Sequence, residues 1–381
     1  MSEYQYYEFR AIDRPLTQTE MKELRKLSTR AEITPMLFTN TYNYGDFGGS
    51  PEEMMEKYFD AYVYVANWGS FHLMLRFPRG IIDEEIIELY IVEDALKYWT
   101  TNTHVIISWE FNCEDGWDEY VEGEGWIDRL LPIRQEIEQG NYASLYIGWM
   151  LGFYFELYDD DTVEPPVPFG NKKLTTAQKA FVEFLNIDED LAVAGLQGSE
   201  AGKADFDKEA SYKAWISQIS ESEAKEAILK ILRGEIIEAQ TDIRRKYNQF
   251  LKDTRKDDLQ DDTTRRTVHM LLNAAKDAEK KRLKREAEEY AREQEKLERE
   301  RKEFLAGLVP KFSELWVKAE SLAEQQSGSS YDQARDLLVD LRDAYKQAGR
   351  SDEFKSLVTK YTEKHAKRKM LLQRLEEKKI I

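Results

Sequence analysis

The chain has 381 residues, 41% of them hydrophobic and 34% charged, with a formal charge of −18 at pH 7. That apolar content excludes a wholly disordered chain, and the acidity excludes a continuous basic coat for nucleic acid. The single cysteine, Cys113, excludes an internal disulfide and any multi-cysteine zinc centre.

Residues 4–12 alternate and are rich in β-formers, which predicts a strand, with Tyr4, Tyr6 and Glu8 on one side and Gln5, Tyr7 and Phe9 on the other. A helix follows over 17–28, opened by the capping pair Thr17 and Glu20 and carrying Met21, Leu24 and Leu27 at helical spacing. Residues 40–50 read as a glycine-rich loop. Ser50, Pro51, Glu52 and Glu53 then supply a cap, a first-turn proline and first-turn acids for a helix running toward Tyr62. Residues 71–77 predict a strand with His72, Met74 and Arg76 on one face and Phe71, Leu73, Leu75 and Phe77 on the other. A short helix is expected over 83–89, a strand over 103–111, and helices over 127–140 and 142–158. Strands mixed with helices on short connections indicate an α+β domain.

Beyond residue 168 the expected elements are all helical. They comprise a pair over 175–185 and 188–194, a glycine-containing linker over 195–207, and a helix over 220–232 whose apolar face is Ala227, Ile228, Ile231 and Leu232. Neither glycine nor proline occurs between Glu235 and Ala306, the mark of long helix. Within it Leu283, Tyr290, Leu297 and Phe304 recur every seven residues. The second heptad position holds Ala287, Gln294 and Arg301, which leaves the stripe thin for a two-stranded coiled coil and makes self-association the lesser alternative. A long exposed helix laced with charge pairs, or one arm of a helical hairpin, is expected. After Pro310, helices over 312–323, 331–347 and from Ser351 form a tetratricopeptide-like pair with one added helix, and the basic 364–379 ends the chain.

Charge divides the chain further. Residues 1–170 hold 12 basic and 32 acidic side chains, 171–239 hold 9 and 13, and 240–381 hold 34 and 28. Eight of the nine prolines lie at or before Pro168, clustered at Glu164-Pro165-Pro166-Val167-Pro168. The expected organisation is an acidic α+β domain (1–168), a helical connecting region (169–239), a long charged helical segment (240–309) and a C-terminal helical domain (310–381).

No catalytic constellation emerges. His72, His104, His269 and His365 have no partner at ligand spacing, although His72 and His104 both fall on predicted strands. Cys113 is followed by Glu114 and Asp115, which oppose thiolate formation. Asp159, Asp160 and Asp161, with Glu156 and Glu164, are acidic enough for a hard cation but lack a calcium-loop pattern; a solvated loop before a proline hinge explains the same residues. The glycines around Asp46 lack the lysine of a phosphate loop. The basic runs at 280–285 and 364–369 are largely offset by interleaved acids, so nucleic acid is disfavoured as a partner. No catalytic, cofactor-binding or metal-ligating residue is assigned, and no cofactor is expected. No basic leader is visible, and the apolar stretch 145–157 is shorter than the ~20 residues of a membrane span. A cytoplasmic chain without a membrane partner is expected.

The opening Tyr-Gln-Tyr-Tyr-Glu-Phe-Arg-Ala-Ile-Asp-Arg-Pro-Leu (4–16) resembles a family of uncharacterised bacterial proteins. The likeness extends to Tyr44-Gly45-Asp46-Phe47, to residues 55–60, to the proline cluster and to 331–375, and it brings no catalytic residue with it. More loosely, the layout looks like the regulatory protein encoded with type III-E CRISPR systems. That resemblance implies a substrate of an RNA-guided caspase-like protease whose released part restrains a sigma factor, although the chain is shorter than it implies. The function expected is therefore that of a non-enzymatic regulatory or adaptor protein acting through protein–protein contacts. The competing expectations are a metal-dependent hydrolase built on Asp159–Asp161 with a histidine, and a nucleic-acid-associated accessory protein.

Overall fold

A computed structural model of the chain describes residues 3–45, 47–113, 117, 121–168, 173–198, 208–254 and 265–381. The chain divides into two compact units, 1–281 and 282–381.

The first unit is organised by a seven-stranded sheet made of β1 (Gln5–Arg10), β2 (Glu32–Thr34), β3 (Leu37–Tyr42), β4 (Ala61–Ala66), β5 (Ser70–Pro78), β6 (Leu96–Thr100) and β7 (His104–Asn112). Their order is β2-β3-β1-β4-β5-β7-β6, antiparallel at every pairing. The alternation read from β5 is real and divides the core in two, because side chains on a strand point to opposite faces in turn. Phe71, Leu73, Leu75 and Phe77 join Val63, Val65, Ile107 and Trp109 in one cluster, while Met74 joins Phe9, Phe38, Tyr62 and Ile106 in another.

Both faces are covered by helix. The second face meets α1 (Gln18–Leu27) and α2 (Pro51–Lys57) through Leu24, Met54 and Met55. The short α3 (Glu84–Glu88) puts Ile87 into the first cluster. That cluster is completed by α4 (Trp126–Glu138), α5 (Ala143–Trp149), α6 (Leu151–Tyr154), α7 (Thr176–Phe184) and α8 (Glu189–Gln197). Thr17 and Glu20 form the expected capping box at α1, and Thr175 with Gln178 forms another at α7. Gly148 sits where a Cβ would come within 2.5 Å of the Trp109 indole, so only glycine lets α5 approach the sheet so closely.

Three expectations need correction. The helix opened by Pro51 stops at Lys57, because Tyr58 leaves helical geometry (φ −127°, ψ −40°) and residues 61–66 enter the middle of the sheet as β4. The loop expected over 40–50 gives its first residues to β3. The helix expected over 142–158 breaks at Met150 and ends at Tyr154, after which the Tyr158 ring folds back over Gly152 and donates to the Trp149 carbonyl at 2.8 Å. The linker expected over 195–207 lies mostly outside the described residues, and its first three residues belong to α8.

Next come α9 (Lys208–Ile216), α10 (Glu221–Leu232), α11 (Ile236–Thr254) and α12 (Val268–Leu308). The start of α12 belongs to the first unit, where Val268, Leu271 and Ala275 enter the sheet core. Its anchor is specific: Arg266 Nε and Nη2 donate to both carboxylate oxygens of Glu164 at 2.7 and 2.9 Å, and the Tyr146 hydroxyl donates to the same carboxylate at 2.7 Å. The proline cluster is thereby packed inside the first unit, and Tyr90 donates to the Pro166 carbonyl.

The second unit contains the rest of α12, α13 (Phe312–Glu324), α14 (Gly328–Gln347), α15 (Ser351–Lys364) and α16 (Lys369–Glu377). Phe312 at the start of α13 stacks on Tyr345 near the end of α14 with centroids 3.8 Å apart. Tyr361 of α15 donates to the Ala319 carbonyl of α13. Successive helices therefore run antiparallel around a core of Leu338, Leu341, Ala344 and Tyr361.

Candidate functional site: exposed helical faces

The residues with chemical potential are separated by the fold. In the β5/β7 register His72 stands opposite Glu110 and His104 opposite Pro78, six positions apart along the ladder and about 20 Å distant. His72 is buried with Nε2 2.8 Å from Ser108 Oγ, and burial lowers it to about 4. His104, bonded to Thr103 Oγ1, is also lowered to about 4, by burial and then by the nearby Arg76. His365 is buried against Glu320 at 2.8 Å. Burial works against ionisation of Glu320, but hydrogen bonds from Lys364 and His365 prevail and hold it below the usual carboxylate range. Cys113 directly follows β7, its amide bonded to the carbonyl of Gly69, where a Cβ would meet the Cys113 Cβ at 2.7 Å. The acidic residues that follow it through position 120 lie outside the described residues.

Asp160 and His269 do approach each other, Oδ2 to Nδ1 at 3.6 Å, with both side chains well exposed. The backbone explains the approach. His269 donates its amide to the Asp160 carbonyl and Val268 to that of Thr162, so the acidic loop lies along the first turn of α12. Carboxylates are stabilised there by the helix dipole. Among the described residues no three His, Cys, Asp or Glu side chains are arranged to hold a metal ion.

The ionic groups that do converge hold the fold together. Asp60 is fully buried and accepts from Arg76 Nε and Nη2 at 3.0 and 2.7 Å and from the amides of Ile12 and Asp13 at 2.6 and 2.9 Å. Arg134 completes the cluster through Asp13 at 2.7 Å and Glu138 at 2.9 Å. Burial raises both of those carboxyls, with Arg134 pulling against it. Every strong donor and acceptor in the cluster is used. The clefts at the sheet margin, about 300 Å³ beside Tyr6 and Thr39, and over α1, about 340 Å³ beside Met21 and Ile33, contain none of the predicted chemical residues.

The helical surfaces are different. Of the face expected to be the core of α10, Ile228, Ile231 and Leu232 point outward at 56, 47 and 77% exposure, joined by Leu229 at 44%, while Ala227 is half-buried. The opposite, charged face packs on α11, where Lys230 pairs with Asp242 and Lys246 with Glu223 at 2.8 Å. Ile216 of α9 and Ile236 of α11 are exposed as well, at 59 and 50%. In the second unit every residue of α12 from 283 to 304 is exposed, the heptad residues Leu283, Tyr290 and Leu297 included. Sequence reasoning found both apolar stripes and expected α12 to be exposed, but it took the α10 face for core, and nothing local in the sequence signals the Lys230–Asp242 contact.

No helix among the described residues is long and apolar enough to cross a membrane. Comparison with protein-family models, curated proteins and solved structures returns no match.

Proposed function

We propose that this chain is a non-enzymatic adaptor or regulator that works by binding another protein, with α10 as a principal contact. The observation that carries the proposal is the inverted packing of α10. An amphipathic helix normally turns its apolar stripe to its neighbours; here the α11 side of the helix is ion-paired through the half-buried Lys230 and the exposed Glu223, and the four aliphatic side chains face outward. Covering the remaining exposed area of each is worth roughly 1 kcal/mol, as half of a full aliphatic burial. An exposed aliphatic face of this kind is characteristic of an interaction surface. The acidity of residues 1–170 adds long-range attraction for a basic partner and speeds encounter.

The test is affinity capture from the native host with the tagged full chain and its Ile228→Asp/Leu232→Asp variant. The proposal expects a stoichiometric protein with the unaltered chain and its loss with the variant. Equal capture by both, or none by either, contradicts it. The narrower version, in which the chain is the target of a caspase-like protease in a type III-E CRISPR system and a regulator of a sigma factor, is supported by the resemblance alone. It predicts discrete cleavage when purified chain meets the activated protease.

A further inference from the structure

We infer that the exposed stripe of α12 is a docking seam for a basic amphipathic helix of another protein. The inference shares with the proposed function the view that the chain binds proteins, but it uses other residues and does not depend on α10. Leu283, Tyr290 and Leu297 lie one heptad apart, which keeps them on one line for about 21 Å at 1.5 Å per residue. They are 51, 66 and 51% exposed on a helix whose residues are all exposed from 283 to 300. Phe304, next in the series, is already engaged: Arg301 lies 5.5 Å from its ring and pairs with Asp340 and Asp343 of α14. The free seam therefore lies N-terminal to the packed end of the helix.

Two features specify the occupant. On the adjoining heptad line Ala287 is small and Gln294 polar, one turn after Leu283 and Tyr290, so the large apolar side chains on that side must come from the partner. The other margin of the seam carries glutamate at each heptad: Glu286, Glu293 and Glu300. Glu286 and Glu300 are held only by exposed pairs with Arg282 at 3.2 Å and Lys296 at 3.9 Å, contacts weak enough to be exchanged. A helix with leucines on its seam and lysine or arginine beside them meets both requirements. A second copy of this chain does not: antiparallel pairing sets the glutamate margin against itself, and parallel pairing sets Glu293 against Glu298.

The test uses the full chain and two fluorescein-labelled four-heptad peptides with leucine at both seam positions, one with lysine and one with glutamate at the flanking positions. Like charges keep each peptide from pairing with itself. Anisotropy titration is expected to show binding of the lysine peptide at least 10-fold tighter than the glutamate peptide. Leu283→Ser/Tyr290→Ser/Leu297→Ser should weaken it at least 10-fold, and Glu286→Lys/Glu293→Lys/Glu300→Lys should reverse the preference. All six positions are exposed, and circular dichroism verifies that the variants remain folded. Undiminished binding by the serine variant assigns the attraction to acidic surface elsewhere and overturns the inference. So does an unreversed preference, or a dimer of the unaltered chain in sedimentation that the serine variant abolishes. Ile228→Asp/Leu232→Asp is titrated in parallel. If host-protein capture depends on α10 while the peptide tests fail, the seam alone is refuted; if capture also fails, the binding-protein reading falls separately.

Discussion

Lys230 of α10 donates to Oδ2 of Asp242 on α11, so the charged side of α10 is the side that packs and its isoleucines and leucines face water. An interior helix arranged this way would be costly. On a binding surface the same arrangement keeps an apolar face available while ionic contacts fix the helix in place.

Substitutions on that outer face should therefore spare stability. Ile231→Lys or Leu232→Lys is expected to change the free energy of unfolding by no more than about 0.5 kcal/mol. Leu73→Ala in the fully buried sheet core should cost about 2–5 kcal/mol. Urea denaturation monitored by tryptophan fluorescence compares them; a core-sized loss at Leu232 would mean that α10 is covered.

The Asp60–Arg76 pair should be far more sensitive. Asp60→Ala leaves a buried guanidinium without its carboxylate partner and is expected to cost about 3–5 kcal/mol. Replacing both ends, as Asp60→Leu/Arg76→Met, should recover part of that loss, since the isolated charge is what is expensive. Equilibrium unfolding of the two variants gives the comparison.

Acid should weaken the first unit through its histidines. His72 and His104 are both lowered from 6.5 to about 4, so below pH 6.5 the unfolded chain takes up protons that the folded chain refuses. Their contribution is intact above pH 6.5 and is lost as pH falls from 6.5 to 4. Asp13 and Glu138 act in the opposite sense: their raised folded values favour folding as pH falls through them. His72→Gln should therefore flatten the decline of Tm between pH 6.5 and 4 relative to the unaltered chain. An identical slope would contradict the assignment.

Hydrogen exchange should distinguish the bare part of α12 from its anchored start. Residues 283–300 are all exposed, so their amides depend on local propensity and side-chain pairs such as Arg282–Glu286. They should exchange well before those of β4 and β5. Protection equal to the sheet would show that the helix is covered in solution.

Much of this architecture is legible in the residues. The alternation of 71–77 reveals two buried faces, and the caps at Thr17 and Ser50 mark helix starts that form as read. β4 is hidden for a physical reason: Met54, Met55, Tyr58, Phe59 and Tyr62 continue a helical spacing past the true end of α2. The departure of Tyr58 from helical geometry is decided by the sheet that 61–66 joins. The pairs Asp60–Arg76 and Glu164–Arg266 bring together residues far apart in the chain and leave no local pattern. Periodicity likewise reveals the apolar sides of α10 and α12, but whether a neighbour covers them is a tertiary property.

The most direct measurement is site-specific photocrosslinking in the native host, with benzoylphenylalanine placed at Leu232 and, as a control, at the exposed Lys179 of α7. Docking through α10 predicts a discrete protein adduct of defined mass from position 232 and none from position 179. No adduct from position 232, or the same diffuse products from both positions, would contradict it.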